Sequence, residues 1–355
     1  MYKLEEITQV HLEVTEACQA SCPMCTRNIN NGETINPHLN MSELSLEDCK
    51  KIFTVEFLKQ LRSIYFCGNF GDPIMAKDTL EIIQYFRQSN NKLYIDIHTN
   101  GGARNSEWWI ALANTIGKNG KVIFGVDGLK DTNHIYRQNV NWDIVENSMR
   151  SYAGAGGLAE WHFLVFKHNE HQLVEAEKIS NEMGIKFVIK KTSRFISSPG
   201  GNRNSITAIG KNKSIIIEKP SLQYQNPEST NSEEILRTFG NIDKFYDATK
   251  ISCKALPGNL YISAEGLVMP CCWTAGDMYK GWIKDYKSEQ IWQIIESVGG
   301  KEKLDARNGL INVFNSGIFN KIKDSWNIPS CEQGKLKVCS KNCASTFNPH
   351  AAQYV

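Results

Sequence analysis

The chain has 355 residues, of which 41% are hydrophobic and 22% charged, with a formal net charge of +2. That length accommodates one large α/β unit and a smaller one, and the near balance of charge excludes a global field directed at nucleic acid or membrane. No apolar run approaches the roughly 18 residues that span a bilayer, and Met1–Glu6 lacks the apolar core of a signal peptide, so a cytoplasmic location with no membrane partner is expected.

Gln9–Thr15 alternates polar and apolar residues as a strand does, and three cysteines at Cys18, Cys22 and Cys25 follow it. Residues 26–41 are polar and turn-rich. Ser45 is placed to cap a helix carrying Leu46, Ile52, Phe53 and Leu58, with Glu47 and Asp48 in its first turn. Ser63–Cys67 reads as a buried strand ending in Gly68-Asn69-Phe70-Gly71-Asp72-Pro73. Asp78 is then expected to cap a helix to about Gln88, and Leu93–Ile97 to form a strand ending in His98-Thr99-Asn100-Gly101. Ser106 is expected to cap a helix to Ile116, and Lys121–Val126 to form a strand ending at Asp127-Gly128. A helix over Asp143–Tyr152, a strand over Trp161–Phe166, a helix to Met183 and a strand over Lys186–Ile189 complete the series.

Six strand–helix units in about 190 residues imply a parallel sheet with helical crossovers, and parallel α/β folds bind ligands at the carboxyl ends of their strands. An open doubly wound sheet and an incomplete barrel both satisfy that pattern. Residues 196–250 are irregular and polar with one helix over Ser232–Phe239, and read as a linker or a substrate-covering insertion. The chain divides as 1–195, 196–250 and 251–355. Between Met183 and Ile217 there are seven basic residues, Lys186, Lys190, Lys191, Arg194, Arg203, Lys211 and Lys213, and no acidic one. This is either a solvated face or a rim that attracts an acidic substrate or an anionic partner. The stretch has little aromatic interleaving and so lacks a nucleic-acid signature.

Eleven cysteines in a cytosolic chain argue for metal or redox chemistry rather than disulfides. They fall into an early group and a late one, Cys253, Cys271, Cys272, Cys331, Cys339 and Cys343; Cys49 and Cys67 stand apart and read as small core residues. The early group is three thiols in eight residues, one short of a full set for zinc or a four-iron cluster. Zinc offers two alternative readings: zinc at both groups, with the chain as a non-catalytic binding scaffold, or, without bearing on whether the chain is an enzyme, zinc as a structural ion at the second group.

The C-x3-C-x2-C loop after a first strand, with the strand ends at residues 68–73 and 99–101, resembles the radical S-adenosylmethionine superfamily. The resemblance covers essentially the whole chain. It implies a partial (β/α)6 TIM-type barrel with a small C-terminal cysteine-rich auxiliary-cluster domain. It also implies that Cys18, Cys22 and Cys25 bind a 4Fe–4S cluster whose fourth iron is chelated by S-adenosylmethionine. An electron passed to that cosubstrate would release a 5′-deoxyadenosyl radical that removes a hydrogen atom from a substrate. By the same resemblance Gly68, Asn69, Phe70, Gly71, Asp72 and Pro73 receive the methionyl ammonium, with Asp72 where glutamate is common. Thr99 and Asn100 lie near the ribose, and Met24 stands where an aromatic residue shields the adenine. Arg137, twelve residues after Gly125, matches an arginine that contacts the cosubstrate; the family's serine is replaced by Gly125, and Asp127 is either a cosubstrate contact or a turn acceptor.

Cys253, Gly266 and Cys271 are similar to the opening of the SPASM auxiliary domain, and Cys339-x3-Cys343 to part of its closing half. With no cysteine after Cys343, one auxiliary 4Fe–4S cluster is expected, as in the shortened twitch version. Its four ligands come from Cys253, Cys271, Cys331, Cys339 and Cys343, with Cys272 a sixth candidate. Relatives of this architecture modify peptides or oxidise small molecules such as amino sugars. A peptide or protein substrate ranks first here, a small-molecule dehydrogenase second and RNA modification third. An external electron donor such as flavodoxin or ferredoxin is implied. The general base is not identified: the acidic residue that serves in sulfatase-maturing relatives is Cys272 here. The seventeen residues before Cys18 leave a leader-recognition module unexpected.

Overall fold

The structure is a computed structural model that describes residues 2–197, 201–209, 214–255, 258–348 and 350–354. Six parallel strands run in chain order through one sheet: β1 (Gln9–Leu12), β2 (Ser63–Phe66), β3 (Tyr94–Thr99), β4 (Gly120–Gly125), β5 (Ala159–Val165) and β6 (Lys186–Lys191). Five helical crossovers join them and cover the outer face. These are α1 (Leu46–Ile52) with α2 (Val55–Gln60), α3 (Thr79–Ser89), α4 (Ser106–Ile116), α5 (Trp142–Gly154) and α6 (Leu173–Glu182). Side chains alternate along each strand. Val10, Leu12, Ile64, Phe66, Ile95, Ile97, Val122, Phe124, Trp161 and Phe163 are fully buried against the helices, while His11, Tyr65, Asp96, His98, Lys121, Glu160, His162 and Lys190 belong to the opposite, inner face. The expected partial TIM-type α/β barrel is the observed architecture.

Helix boundaries differ from expectation where side-chain caps decide them. Ser45 and Asp48 form a reciprocal capping box on α1, but that helix stops at Ile52 and Thr54 caps a separate α2. The Asp78 side chain accepts from the Leu46 N–H at 2.9 Å, so it caps α1 rather than its own helix. Asn105, not Ser106, caps α4 by accepting from Trp108 N at 3.1 Å.

The insertion is more ordered than its polarity implied. It contains an antiparallel hairpin of β7 (Ser205–Ile209) and β8 (Ser214–Glu218), then α7 (Glu228–Phe239) and α8 (Ile242–Ala248). Lys211 and Lys213 lie outside the described residues. A seventh parallel strand, β9 (Asn259–Ile262), pairs with β1 on the side away from β2, and β10 (Val268–Met269) returns antiparallel beside it. The sheet therefore continues from the barrel into the cysteine-rich region, in an order the six-strand reading did not contain. α9 (Cys272–Gly276), α10 (Gln290–Ser297), α11 (Leu310–Asn315), α12 (Ile318–Ser325) and α13 (Lys337–Asn342) pack behind it. Among the described residues no helix is long and apolar enough to cross a membrane.

The inner face of the barrel carries an ionic floor. Glu160 accepts from Lys121 Nζ and from His162 Nε2, both at 2.9 Å, and Lys186 lies 3.4 Å away. Burial raises the Glu160 pKa, but the hydrogen bonds from Lys121 and His162 and the charges of Lys121 and Lys186 reverse this and hold it at about 2, against an ordinary 4.5. A depressed carboxylate contributes stability that is present in full above its unfolded pKa and is lost as pH falls through the folded one. The urea midpoint of a Glu160→Gln variant is therefore expected to lie below that of the unchanged chain at pH 7. The two midpoints should converge as pH falls from about 4.5 toward about 2.

Candidate functional site

The first thiol group sits on the loop leaving β1. Cys25 N donates to the Cys22 carbonyl at 3.1 Å, and Asn28 Nδ2 donates to the same oxygen at 3.1 Å, so the turn is fixed independently of its sulfurs. Donors converge on the thiols from other strands. Cys18 Sγ receives Ala20 N at 3.4 Å and Asn100 Nδ2, from the end of β3, at 3.6 Å. Arg137 Nη1 stands 3.9 Å from Cys22 Sγ. Burial pushes the Cys18 and Cys22 thiols up, and each is pushed further by its neighbouring thiols, while the Arg137 charge opposes this at Cys22. Three thiols on one short loop, with N–H donors aimed at two of them, fit the donor set that an iron–sulfur cluster requires, whose charge such donors would tune.

Gly68–Pro73 faces this loop and is held from beneath by a residue that pattern reading passed over. The Glu13 carboxylate, at the end of β1 and 1% exposed, accepts from Phe70 N at 2.7 Å, Gly71 N at 3.0 Å and the Tyr261 hydroxyl. Burial raises its pKa, and these hydrogen bonds oppose the rise. A side chain at Gly71 would drive into the Thr15 carbonyl, and one at Gly68 into the backbone of Gly71, so neither position admits a Cβ. Phe70 is buried with its ring edge-on to Tyr279, and Pro73 opens a buried 3-10 turn. Asn69 links the two halves: its carbonyl accepts from Thr26 Oγ1 at 3.1 Å and its Nδ2 donates to the Cys272 carbonyl at 2.8 Å.

Asp72 turns inward. It accepts from Asn100 N at 2.8 Å and Ile74 N at 3.2 Å and so ties the end of β2 to the end of β3. Asn100 Oδ1 in turn accepts from Gln19 Nε2 at 2.6 Å, between the cysteines, while Thr99 Oγ1 accepts from Gly101 N at 3.0 Å. The buried Asp127 and the half-buried Arg137 form an ion pair, Nε to Oδ2 2.7 Å, and the other Asp127 oxygen accepts from Leu164 N at 2.8 Å. Both Asp127 oxygens are thus engaged within the chain, and one of them holds Arg137 beside Cys22. Gly125, in place of the family's serine, makes room for this: a Cβ there would stand 2.9 Å from Arg137 Nη2. Met24 lines an open pocket of about 500 Å³ with Pro23, Cys25, Thr26 and Trp282, and its carbonyl accepts from Arg194 Nη1 at 2.6 Å.

The late cysteines separate into two sets. Cys253, Cys271, Cys339 and Cys343 line one enclosed apolar cavity with Pro270, Trp273, Ile322, Trp326 and Val338. Cys343 is drawn down to about 6, first by a hydrogen bond from Cys253 and then, against burial, by the Lys254 backbone and charge. The Trp326 indole N–H is buried on this cavity's wall, directed at Cys339, where it opposes the rise that burial gives that thiol. A four-iron cluster at the four thiols supplies acceptor sulfurs there, so these residues fit one. Cys331 does not line the cavity; its N–H donates to Asp247 Oδ1 at 2.6 Å, and burial and that carboxylate push its thiol up to about 11. Cys272 is not among the residues lining the cavity; burial and then the charges of Cys271, Cys67 and Glu13 push its thiol up. Among the described residues no three His, Cys, Asp or Glu side chains converge as the shell of a single ion. Cys339→Ser is expected to lower the iron bound after anaerobic reconstitution by about four per chain, and Cys331→Ser to leave it unchanged.

No protein-family model and no curated protein matches the chain. Solved structures do. Streptococcus suis SuiB bound to precursor peptide SuiA aligns at TM-score 0.54 and 13% identity, over 99% of this chain and 76% of that one. In a second SuiB structure the alignment, at TM-score 0.51 and 14% identity, covers 81% of this chain and 66% of SuiB, just under two thirds of its length. Native anSMEcpe with bound AdoMet and Kp18Cys peptide aligns at TM-score 0.53 and 12% identity, over 98% of this chain and 94% of that one. Over nearly its whole length the chain therefore shares its fold with SuiB and anSMEcpe.

Proposed function

We propose that the chain is a radical S-adenosylmethionine enzyme that acts on a peptide or protein and carries one auxiliary 4Fe–4S cluster. The observation that carries this reading is the loop of Cys18, Cys22 and Cys25 opposite Gly68–Pro73, within an arrangement of strands shared with AdoMet-bound anSMEcpe. When bound, the cluster supplies the electron that splits S-adenosylmethionine into methionine and a 5′-deoxyadenosyl radical. The chain's own part is positional. Glu13 takes the N–H groups of Phe70 and Gly71, so the 68–73 segment presents oxygen acceptors suited to an ammonium group. Asp72 and Asn100 lock the ends of β2 and β3 beside Cys18, and Asp127 holds Arg137 against Cys22.

Cys253, Cys271, Cys339 and Cys343 satisfy all four irons of an auxiliary cluster, which favours electron acceptance over direct substrate anchoring. A peptide substrate is preferred because the neighbours above TM-score 0.5 include SuiB with its precursor peptide and anSMEcpe with a Kp18Cys peptide. Electrons would come from a donor of the flavodoxin or ferredoxin class.

Anaerobic reconstitution is expected to give about eight irons per chain and reductant-dependent 5′-deoxyadenosine. Cys22→Ala should lose nucleoside formation and retain about half the iron. Two bound zinc ions and no nucleoside product would overturn the assignment.

A further inference from the structure

A short piece of the chain packs between elements that reach the two thiol sites. The helical turn Ala351–Tyr354 lies against the carboxyl end of β6. Gln353 Nε2 donates to Ser193 Oγ at 2.6 Å, the His350 ring packs on Trp273 at 4.3 Å, and the Tyr354 ring lies 4.6 Å from Lys190 Nζ and 5.9 Å from the His162 ring. One neighbour of this turn reaches each thiol site. Arg194 donates to the Met24 carbonyl on the first cysteine loop, and Trp273 lines the cavity of the second.

The surroundings of this turn are cationic. The charges of Arg194, Lys341, Lys254 and Lys190 all bear on His350. Among the described residues none of these four is within 4.0 Å of a carboxylate, although the chain pairs many of its other lysines. The occupying residues, His350, Ala351, Ala352, Gln353 and Tyr354, bring no acidic side chain. They are also lightly held: the turn is four residues long and Tyr354 is 57% exposed. A short, half-exposed turn opens at little cost. Lys190 and Arg194 belong to the basic stretch 183–217, whose purpose the proposed chemistry leaves unexplained.

We propose that the place residues 350–354 fill against Lys190, Ser193 and Trp273 is the seat of an acidic segment of the peptide substrate, and that these residues occupy it as a displaceable internal stand-in. The inference rests on the peptide-modifying reading but is tested by binding alone, without S-adenosylmethionine cleavage, so the two fail separately. Because the tethered turn competes at a high effective concentration, an incoming segment must offer what the turn lacks, and carboxylates do so among four cations that make no ion pair within 4.0 Å, although Lys254 and Arg194 donate to the carbonyls of Asn342 and Met24 and the charge of Asp277 acts on Lys341.

The probe is a fluorescein-labelled peptide, AEAEYE in one-letter code, compared with its neutral counterpart AQAQYQ. A chain truncated after Phe347 is expected to bind the acidic peptide saturably, at least about tenfold more tightly than the neutral one, and to lose that preference with added salt. Lys190→Glu combined with Arg194→Glu should remove it. Should truncation unfold the chain, Tyr354→Ala in the intact protein is the second variant, expected to bind the acidic peptide about threefold more tightly than the unchanged chain. Equal binding of the two peptides overturns the proposal, since the cations then serve only to offset the charge of the nearby cluster. So does no binding by the truncated chain, or no gain in the Tyr354→Ala protein.

Discussion

Gly71→Ala is expected to abolish S-adenosylmethionine cleavage and to cost about 3 kcal/mol of stability or more. The added Cβ points into the carbonyl of Thr15, a backbone atom of the segment that leads into the cysteine loop. A flexible side chain moves aside from such a contact, but a backbone carbonyl moves only with its peptide unit. Either the 68–73 turn lifts away from Glu13 and loses the hydrogen bonds at 2.7 and 3.0 Å, or residues 15–17 shift and carry Cys18 with them. Both displace the surfaces expected to meet across the cosubstrate. Chemical denaturation measures the first effect and 5′-deoxyadenosine formation the second; a Gly71→Ala protein with unchanged turnover would sink this account of the segment.

The second large effect is expected at Arg137. Arg137→Met leaves the Asp127 carboxylate, 1% exposed, without its cation, and breaking one side of a buried pair costs about 3–5 kcal/mol. It also removes the donor beside Cys22. The two consequences separate in a double variant. Asp127→Asn with Arg137→Met has no orphaned charge, so much of the stability should return. Cleavage should not return, because nothing then stands 3.9 Å from the Cys22 sulfur. Full recovery of cleavage in the double variant would reduce Arg137 to a structural ion pair.

Local signals carried the barrel. Each strand end that matters is marked by residues with few other uses: three cysteines, a Gly-x-x-Gly turn, Thr99-Asn100, and Asp127-Gly128. The braces were less visible. Glu13 sits in an alternating strand where a polar residue reads as solvent-facing, and only the sheet brings it under a turn 57 residues on. Tyr261, which donates to it, comes from β9, a four-residue strand too short to stand out in a cysteine-rich region. The late cysteines were legible as a group but not as a set. Spacing along the chain gives six candidates, and only the packing of α9, α12 and α13 shows which four share a wall. Asn105 and Ser106 illustrate a finer ambiguity: both are good capping residues, and a shift of one position decides which side chain faces the free N–H groups.

The pairing of β9 with β1 also sets an order of events in synthesis. Gln9 aligns with Asn259 and Leu12 with Ile262, a separation of about 250 residues. Until the ribosome has delivered that far segment, β1 is an edge strand with a row of unpaired N–H and C=O groups, and Glu13 lacks the Tyr261 hydroxyl. Long-range parallel pairing of this kind forms late and slowly. The brace beneath residues 68–73 is therefore completed from the far end of the chain: the Tyr261 hydroxyl reaches Glu13 only once residues 259–262 have paired with β1.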